Sequence, residues 1–254
     1  MSALPGPSPT HAIAVRGLTI GWGDLPLIEG ITFTVPRGEV FAILGGSGSG
    51  KSTLLRFLVG LESPTRGEID IAGIGPPDLE RALPPFGVMY QGGALFGSLT
   101  VLENVELPLG EWTHLPREAV RSIAAAKLHL VGLGDAGDKL PSEISGGMVK
   151  RAAIARALAL DPILAFLDEP SAGLDPLTAA SLDDLIRTLS QSSDLTVIIV
   201  THELRSIFAI ADRCILLDKE SKRAIAIGDP RVLRHSDDPR VFAFFNPTSR
   251  RKER

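Results

Sequence analysis

The sequence predicts an α/β fold with a mostly parallel core sheet, an antiparallel β portion ahead of it and a helical subdomain inserted into it. Three observations predict this. Val40-Phe41-Ala42-Ile43-Leu44 is continuously apolar, as a strand buried on both faces of a parallel sheet must be, and it runs straight into a Gly-rich turn. Beyond Leu160 the chain alternates apolar strand patterns with helical ones. Between about Gly92 and Leu160 strand signals disappear and helical spacing takes over.

Taken in order, the chain opens with a tail carrying Pro5, Pro7 and Pro9, expected to be flexible over residues 1–10. Alternating apolar positions near Ile13–Ile20 and Ile31–Val35, separated by Gly21, Gly23, Asp24 and Gly30, predict antiparallel strands and turns. After the buried strand, Leu54, Leu55, Leu58 and Leu61 recur at helical spacing. Within the middle segment, Glu118–Val131 and the alanine-rich Val149–Leu160 predict helices. Ile163–Leu167 and Leu195–Val200 predict strands, followed by helices around Ala179–Leu189 and Leu204–Ala211. A strand pair, Arg213–Leu217 and Ala224–Ile227, leads to a short helical stretch and a basic tail over residues 247–254. No internal repeat interrupts this order.

Composition narrows the function. With 44% hydrophobic and 22% charged residues in 254, the chain buries a core of ordinary size. A formal net charge of −4 argues against a sequence-independent grip on nucleic acid, which needs clustered Lys and Arg. The basic tail, Arg250, Arg251, Lys252 and Arg254, reads as a solvated end rather than a lipid contact. A single cysteine, Cys214, excludes an internal disulfide; its apolar neighbours predict a small core residue and a reducing compartment. No run approaches the roughly 18 apolar residues that span a bilayer, and no signal-peptide pattern is present, so any membrane role is expected through a partner.

The run Gly45-Gly46-Ser47-Gly48-Ser49-Gly50-Lys51-Ser52, followed by Thr53, matches G-x-x-x-x-G-K-[ST] with a strand before it and a helix after it. A chance match in a chain of this length is on the order of one or two per cent, and the flanks lower that further. Polyphosphate must be met by backbone N–H groups at close range and by the positive end of a helix, and glycines leave that approach open. Lys51 adds a point charge at the β/γ-phosphates, and Ser52 offers a hydroxyl to Mg²⁺.

Ile163–Leu167 ends in Asp168 and Glu169, which places both acids at the sheet edge where the phosphate loop opens. Asp168 is the candidate organiser of the Mg²⁺ shell, and Glu169 the candidate general base or water-orienting group. His202 follows the strand Thr196–Thr201 in the same way, on the γ-phosphate side; the bland alternative is a helix cap or a satisfied core residue. Ser145-Gly146-Gly147 opens the alanine-rich helix, with Ser145 as N-cap, and makes a second anion-binding terminus. Two phosphate-grade sites far apart in sequence invite a dimer in which each copy closes over the other's nucleotide.

From about Val15 to about Ile227 these residues resemble the ATP-binding cassette ATPases. The resemblance implies the P-loop NTPase fold of that family over residues 11–246, with the helical subdomain of about 92–160 inserted in a RecA-like core. It implies that Trp22 stacks on adenine, that Gln91 belongs to the loop linking the Mg²⁺ site to a permease, that Ser145, Gly146 and Gly147 form the signature motif, that Ser171–Asp175 forms the loop in which Asp175 reaches across the dimer, and that His202 is the switch histidine. Lys51, Glu169 and His202 would be its catalytic groups, ATP and Mg²⁺ its ligands. Trp22 stands where tyrosine is usual, and Met148 where the signature usually has glutamine.

Ser145-Gly146-Gly147-Met148, Gln91-Gly92-Gly93-Ala94-Leu95-Phe96 and the late Ser236-Asp237-Asp238-Pro239 with Phe242, Phe244 and Phe245 look like the subgroup serving Mla and other MCE-type lipid transporters. That subgroup implies a homodimer on the cytoplasmic face of the inner membrane, an integral-membrane permease on separate chains, an MCE-type lipid-binding protein and a small regulatory subunit, with no nucleic acid. A cassette serving another substrate, such as an amino acid or a drug, is the alternative. A non-transport cassette acting on DNA or ribosomes fits less well, since no heptad run or Cys cluster is present.

Overall fold

The computed structural model describes residues 10–23, 25–78 and 84–247. The expected tails, including Pro5–Pro9 and Arg250–Arg254, lie outside the described residues, as does Asp24.

Two sheets carry the fold. β1 (His11–Trp22) and β2 (Leu25–Pro36) form the expected antiparallel pair, and β4 (Arg66–Ile71) joins the other edge of β1 to give the order β2-β1-β4. The second sheet runs β5-β6-β7-β3-β8-β9, from β5 (Phe86–Met89), β6 (Leu164–Asp168), β7 (Thr196–Val200), β3 (Val40–Gly45), β8 (Arg213–Asp218) and β9 (Arg223–Gly228). Its first five strands are parallel and β9 is antiparallel to β8. The parallel strands therefore end at one edge, where loops after β3, β6 and β7 meet.

The two sheets are joined by a layer of large side chains. Phe33 on β2 stacks on Phe41 of β3 at 5.3 Å, and Phe166 on β6 meets Phe86 of β5 edge-on at 5.6 Å, with Leu54, Leu55, Phe57 and Leu58 of α1 (Lys51–Leu58) filling the same layer. The opposite face of the sheet is covered by α2 (Val101–Trp112), α3 (Arg117–Leu130), α4 (Gly146–Ala157) and α5 (Pro176–Ser193). α2 to α4 fall in the chain between the neighbouring strands β5 and β6. Ala152, Ala153 and Ala155 are wholly buried, so the small side chains of α4 let it lie close to its neighbours.

A third cluster joins Ala42 and Leu44 to α6 (Leu204–Ile210) and to α8 (Pro239–Phe245), which α7 (Pro230–Leu233) precedes. Phe245 is buried there, Phe244 packs against the cluster, and Phe242 is exposed. Cys214 sits in the same cluster as expected, and burial pushes its thiol up to about 12.

Some expectations needed correction. Leu61 is not on α1: the helix stops at Leu58, Gly60 turns left-handed at φ +78°, and Leu61 is exposed. β4, β5 and α2 were not anticipated. β4 carries Gly67 because a Cβ there would stand 2.5 Å from the backbone of Gly17 on the neighbouring strand. α2 contains Pro108 and Gly110, which lower its intrinsic propensity. It forms through a capping box between Thr100 and Glu103 and through the burial of Val101, Leu102, Val105 and Leu109. Asn104, fully buried on α2, fixes the preceding loop: its amide donates to the carbonyls of Phe96, Leu99 and Thr100 and accepts from Phe96 N–H.

Candidate active site

The phosphate loop lies between β3 and α1 as expected. Gly45 cannot be replaced without rearrangement, because a Cβ would stand 2.3 Å from Ser49 Oγ and 2.7 Å from the Leu217 carbonyl. Gly48 and Gly50 turn left-handed, at φ +75° and +91°, and the Ser49 N–H donates to Gly46 O at 3.2 Å. No side chain caps α1, so its first-turn N–H groups, from Lys51, Ser52 and Thr53, remain for an anion. The Lys51 ammonium donates to Gly45 O at 2.8 Å and Gly46 O at 3.1 Å, which holds it over the loop with exposed Ser47 beside it.

Asp168 ends β6 and Glu169 follows, 6% and 8% exposed. Glu169 adopts φ +47°, a left-handed conformation that costs a non-glycine residue roughly 1–3 kcal/mol and is kept where the surroundings over-determine it. Its N–H donates to Val200 O at 2.8 Å. Its carboxylate is held on both oxygens: Oε2 accepts from Thr201 Oγ1 at 3.1 Å, and Oε1 lies 2.7 Å from His202 Nδ1. His202 is 61% exposed at its side chain, so it is not a core residue, and the N-cap of α6 is Glu203, not His202. Thr201 escaped the sequence reading, although it is the neighbour of His202.

Charges at this edge are balanced in pairs. Burial pushes Lys51 below the usual lysine range, while Glu169 and Asp168 pull it back up. Burial, and then Glu169, push Asp168 above the usual carboxylate range, while Lys150 and Lys51 pull it down. Asp168 Oδ1 is buried with no hydrogen-bond partner. An anionic oxygen in that position fits a divalent cation. Among the described residues no group of three or more His, Cys, Asp or Glu side chains is arranged to hold a metal ion by itself, so a cation here would take one carboxylate with hydroxyl and phosphate oxygens, which is how Mg²⁺ is commonly held.

The other expected residues lie around this centre. Trp22, at the end of β1, is 59% exposed. Its Nε1 donates to Glu62 Oε2 at 3.2 Å, and Glu62 Oε1 accepts from Arg56 Nε at 2.6 Å, so the indole is tied to α1. Gln91 is exposed on the loop after β5, and Arg156 of α4 clamps that loop by donating to Gly93 O and Ala94 O, both at 2.8 Å. Ser145 caps α4, accepting from Met148 N–H at 3.3 Å; Gly146 is exposed and Gly147 packs so tightly that a Cβ would stand 2.5 Å from Thr178 Cγ2. Asp175 caps α5, accepting from the N–H groups of Leu177 and Thr178 and from Thr178 Oγ1. No hydrogen bond or ion pair among the described residues joins the Ser145–Gly147 end or Asp175 to the phosphate loop of the same chain.

The sequence profile described as ABC transporter matches residues 28–172, more than half of the chain. The chain belongs to the ABC transporter family. The matched stretch takes in the phosphate loop, Gln91, Ser145–Gly147, Asp168 and Glu169, whereas Trp22, Asp175 and His202 lie outside it. The protein is thus an ATP-binding cassette that binds and hydrolyses ATP, as the family resemblance implied.

Among similar proteins, the probable ribonucleotide transport ATP-binding protein mkl of Mycobacterium leprae is 42% identical over 240 residues, covering 92% of this chain and 69% of that one. The intermembrane phospholipid transport system ATP-binding protein MlaF of Escherichia coli K12 is 38% identical over 244 residues, covering 94% and 90%. Among solved structures, the dimeric ATP-binding cassette MJ0796 bound to ADP and Pi matches with a TM-score of 0.75 and 30% identity, over 85% of this chain and 98% of that one. The cbiO1 protein of Clostridium perfringens, part of the ABC transporter complex cbiONQ, matches with a TM-score of 0.79 and 30% identity, over 88% and 90%.

Proposed function

We propose that this cassette powers lipid movement at the inner membrane, working as a homodimer on the cytoplasmic face beneath a permease on separate chains. The observation that carries the lipid reading is the 38% identity to MlaF over nearly the full length of both chains. Met148 after Ser145-Gly146-Gly147 supports it. An MCE-type lipid-binding protein and a small regulatory subunit complete the complex in this reading, and nucleic acid has no part. The likeness to mkl favours a second reading, a ribonucleotide cargo.

In the proposed cycle, Trp22 stacks on adenine, the N–H groups of Gly45 through Thr53 cradle the phosphates, and Lys51 meets the β/γ-phosphates. Ser52, Gln91 and Asp168 would hold Mg²⁺, which when bound neutralises charge on the phosphate oxygens. Glu169 orients the attacking water and takes up its proton. Thr201 and His202 fix the Glu169 carboxylate, and the exposed edge of His202 is left for the γ-phosphate. Ser145, Gly146, Gly147 and Asp175 of one copy close over the nucleotide held by the other, which accounts for a second anion terminus without contacts to its own phosphate loop. The domain reading is that residues 11–246 form the cassette and about 92–160 its helical subdomain. Beside Gln91 a groove of about 330 Å³, lined by Tyr90, Phe96, Leu107, Pro108 and Trp112, offers the permease an apolar seat. No helix among the described residues is long and apolar enough to cross a membrane, so the reading gives the membrane span to the permease.

The test is to tag Glu169→Gln, extract it from native membranes in mild detergent with ATP, and identify the co-purifying proteins by mass spectrometry. A multispanning permease with an MCE-domain protein is expected. A permease with a soluble solute-binding protein would overturn the lipid reading, and ribosomes or DNA in place of a permease would overturn transport.

A further inference from the structure

Lys150 stands on the first turns of α4 and is 6% exposed, in a helix whose sequence alone makes a solvated lysine the ordinary expectation. Lysines are almost never buried this deeply without compensation. The compensation is specific: Nζ donates to the backbone carbonyl of Glu169 at 3.2 Å, and the carboxylates of Asp168 and Glu169 lie within electrostatic reach. Glu169 is the residue held at φ +47°, and its carbonyl takes, besides Lys150, only the N–H of Ala172, at 3.3 Å, among the described residues. Lys150 is therefore the charged donor on the peptide whose conformation aims the Glu169 side chain. α4 also begins at Ser145-Gly146-Gly147, little more than one helical turn from Lys150, and its far end holds the Gln91 loop through Arg156.

We propose that Lys150 is a positioning residue for ATP hydrolysis: it locks the Glu169 peptide to α4 and so holds the Glu169 carboxylate in its working position. The proposal rests on the reading of Glu169 as the water-orienting group. It assigns to α4 a mechanical role inside one chain, in addition to any contact its N-terminus makes with a nucleotide. A displacement of about 1 Å at a reacting group lowers rate by about 100-fold, which sets the upper scale of the effect.

The experiment compares the full-length chain with Lys150→Met, Lys150→Arg, Glu169→Gln and the double variant Lys150→Met/Glu169→Gln, following ATP turnover and the binding of a fluorescent ATP analogue. Lys150→Met is expected to lower kcat by about 10- to 100-fold while KM for ATP and analogue affinity stay within about threefold. Lys150→Arg should recover most of the rate, because the donor returns. On the Glu169→Gln background, Lys150→Met should cost no further rate, since groups that act as one unit are non-additive. Wild-type kcat in Lys150→Met, with Glu169→Gln inactive, would overturn the proposal and leave the Glu169 reading standing. Normal turnover in Glu169→Gln would remove that reading, and with it the proposal. Full multiplication of the two losses in the double variant would show Lys150 acting elsewhere. Loss of analogue binding and of the unfolding midpoint in both Lys150→Met and Lys150→Arg would reduce it to a packing residue.

Discussion

Removing the indole of Trp22 is expected to weaken ATP binding by about 5- to 150-fold. The range follows from the worth of stacking a base on an aromatic ring, about 1–3 kcal/mol, at a factor of ten per 1.4 kcal/mol. The structure makes the measurement clean. Trp22 is 59% exposed, so truncation opens no core cavity and stability should move by no more than about 0.5 kcal/mol. Trp22→Phe keeps a ring but loses the 3.2 Å bond from Nε1 to Glu62, and should cost less than about fivefold, the scale of one partly solvated hydrogen bond. Glu62→Gln keeps an acceptor for the indole and gives up the charge facing Arg56, so its affinity should lie nearer the parent than Trp22→Ala does. Anisotropy titration with a fluorescent ATP analogue reads the affinity, and phosphate release over a range of ATP reads KM and kcat. The change should fall mainly on KM. Parent-like affinity in Trp22→Ala, or a loss confined to kcat, would refute the base contact.

Glu169→Gln should keep ATP binding and lose turnover by about 10²- to 10⁴-fold, measured by phosphate release; normal turnover would remove Glu169 from its role. Gly147→Ala should impair turnover because the new Cβ meets Thr178 Cγ2, and adding Thr178→Ser, which deletes that methyl, should restore part of it; failure of the pair to recover any rate would point to a different reason for the glycine. Phe166→Ala empties a wholly buried site between the two sheets and should lower stability by about 3–5 kcal/mol in urea melts. Asp238 caps α8, and Arg240 beside it holds its carboxyl down at about 2 against an ordinary value of 3.8. Its folded value is depressed, so the stabilisation is present above about pH 4 and lost as pH falls towards 2. Asp238→Asn should thus be less stable than the parent at pH 7, with the gap closing as pH falls through about 2; a gap that does not narrow between pH 4 and pH 2 would contradict the assignment.

Much of this was readable from residues alone, for reasons that differ by place. The strand Val40–Gly45 and the loop after it were legible because a doubly buried strand is apolar without interruption and the phosphate pattern has few other uses. Asp168 and Glu169 were legible because an apolar run stopped at two acids. β5 and β4 were not, because each owes its glycine to a neighbour far along the chain: at Gly87 a Cβ would stand 1.8 Å from the Ala157 carbonyl. α2 was hidden by Pro108, whose cost is offset by a cap and by tertiary burial. His202 had two bland readings until the fold set it beside a carboxylate 33 residues earlier. Lys150 left no trace in the sequence, since nothing in a helical pattern marks which lysine is buried. The capping of α5 by Asp175 was equally silent, because the family motif implied only its reach across a dimer.

The place of β7 in the core sheet bears on how the chain is made. It lies between β3 and β6, and Gly38, just ahead of β3, bonds to Thr196 at the start of β7 across 158 residues. A ribosome therefore releases the phosphate loop, α4 and both carboxylates before either neighbour of β3 is made, with both edges of β3 and one edge of β6 showing unpaired backbone N–H and C=O groups. Until β7 slides in, Glu169 has neither Val200 nor Thr201 nor His202 to hold it, so a nascent chain can carry the nucleotide cradle without the means of turnover. The unpaired edges at that stage are also the surfaces on which such a chain would associate with others. Assembly of the sheet and fixing of the Glu169 carboxylate are then one late event in the life of the polypeptide.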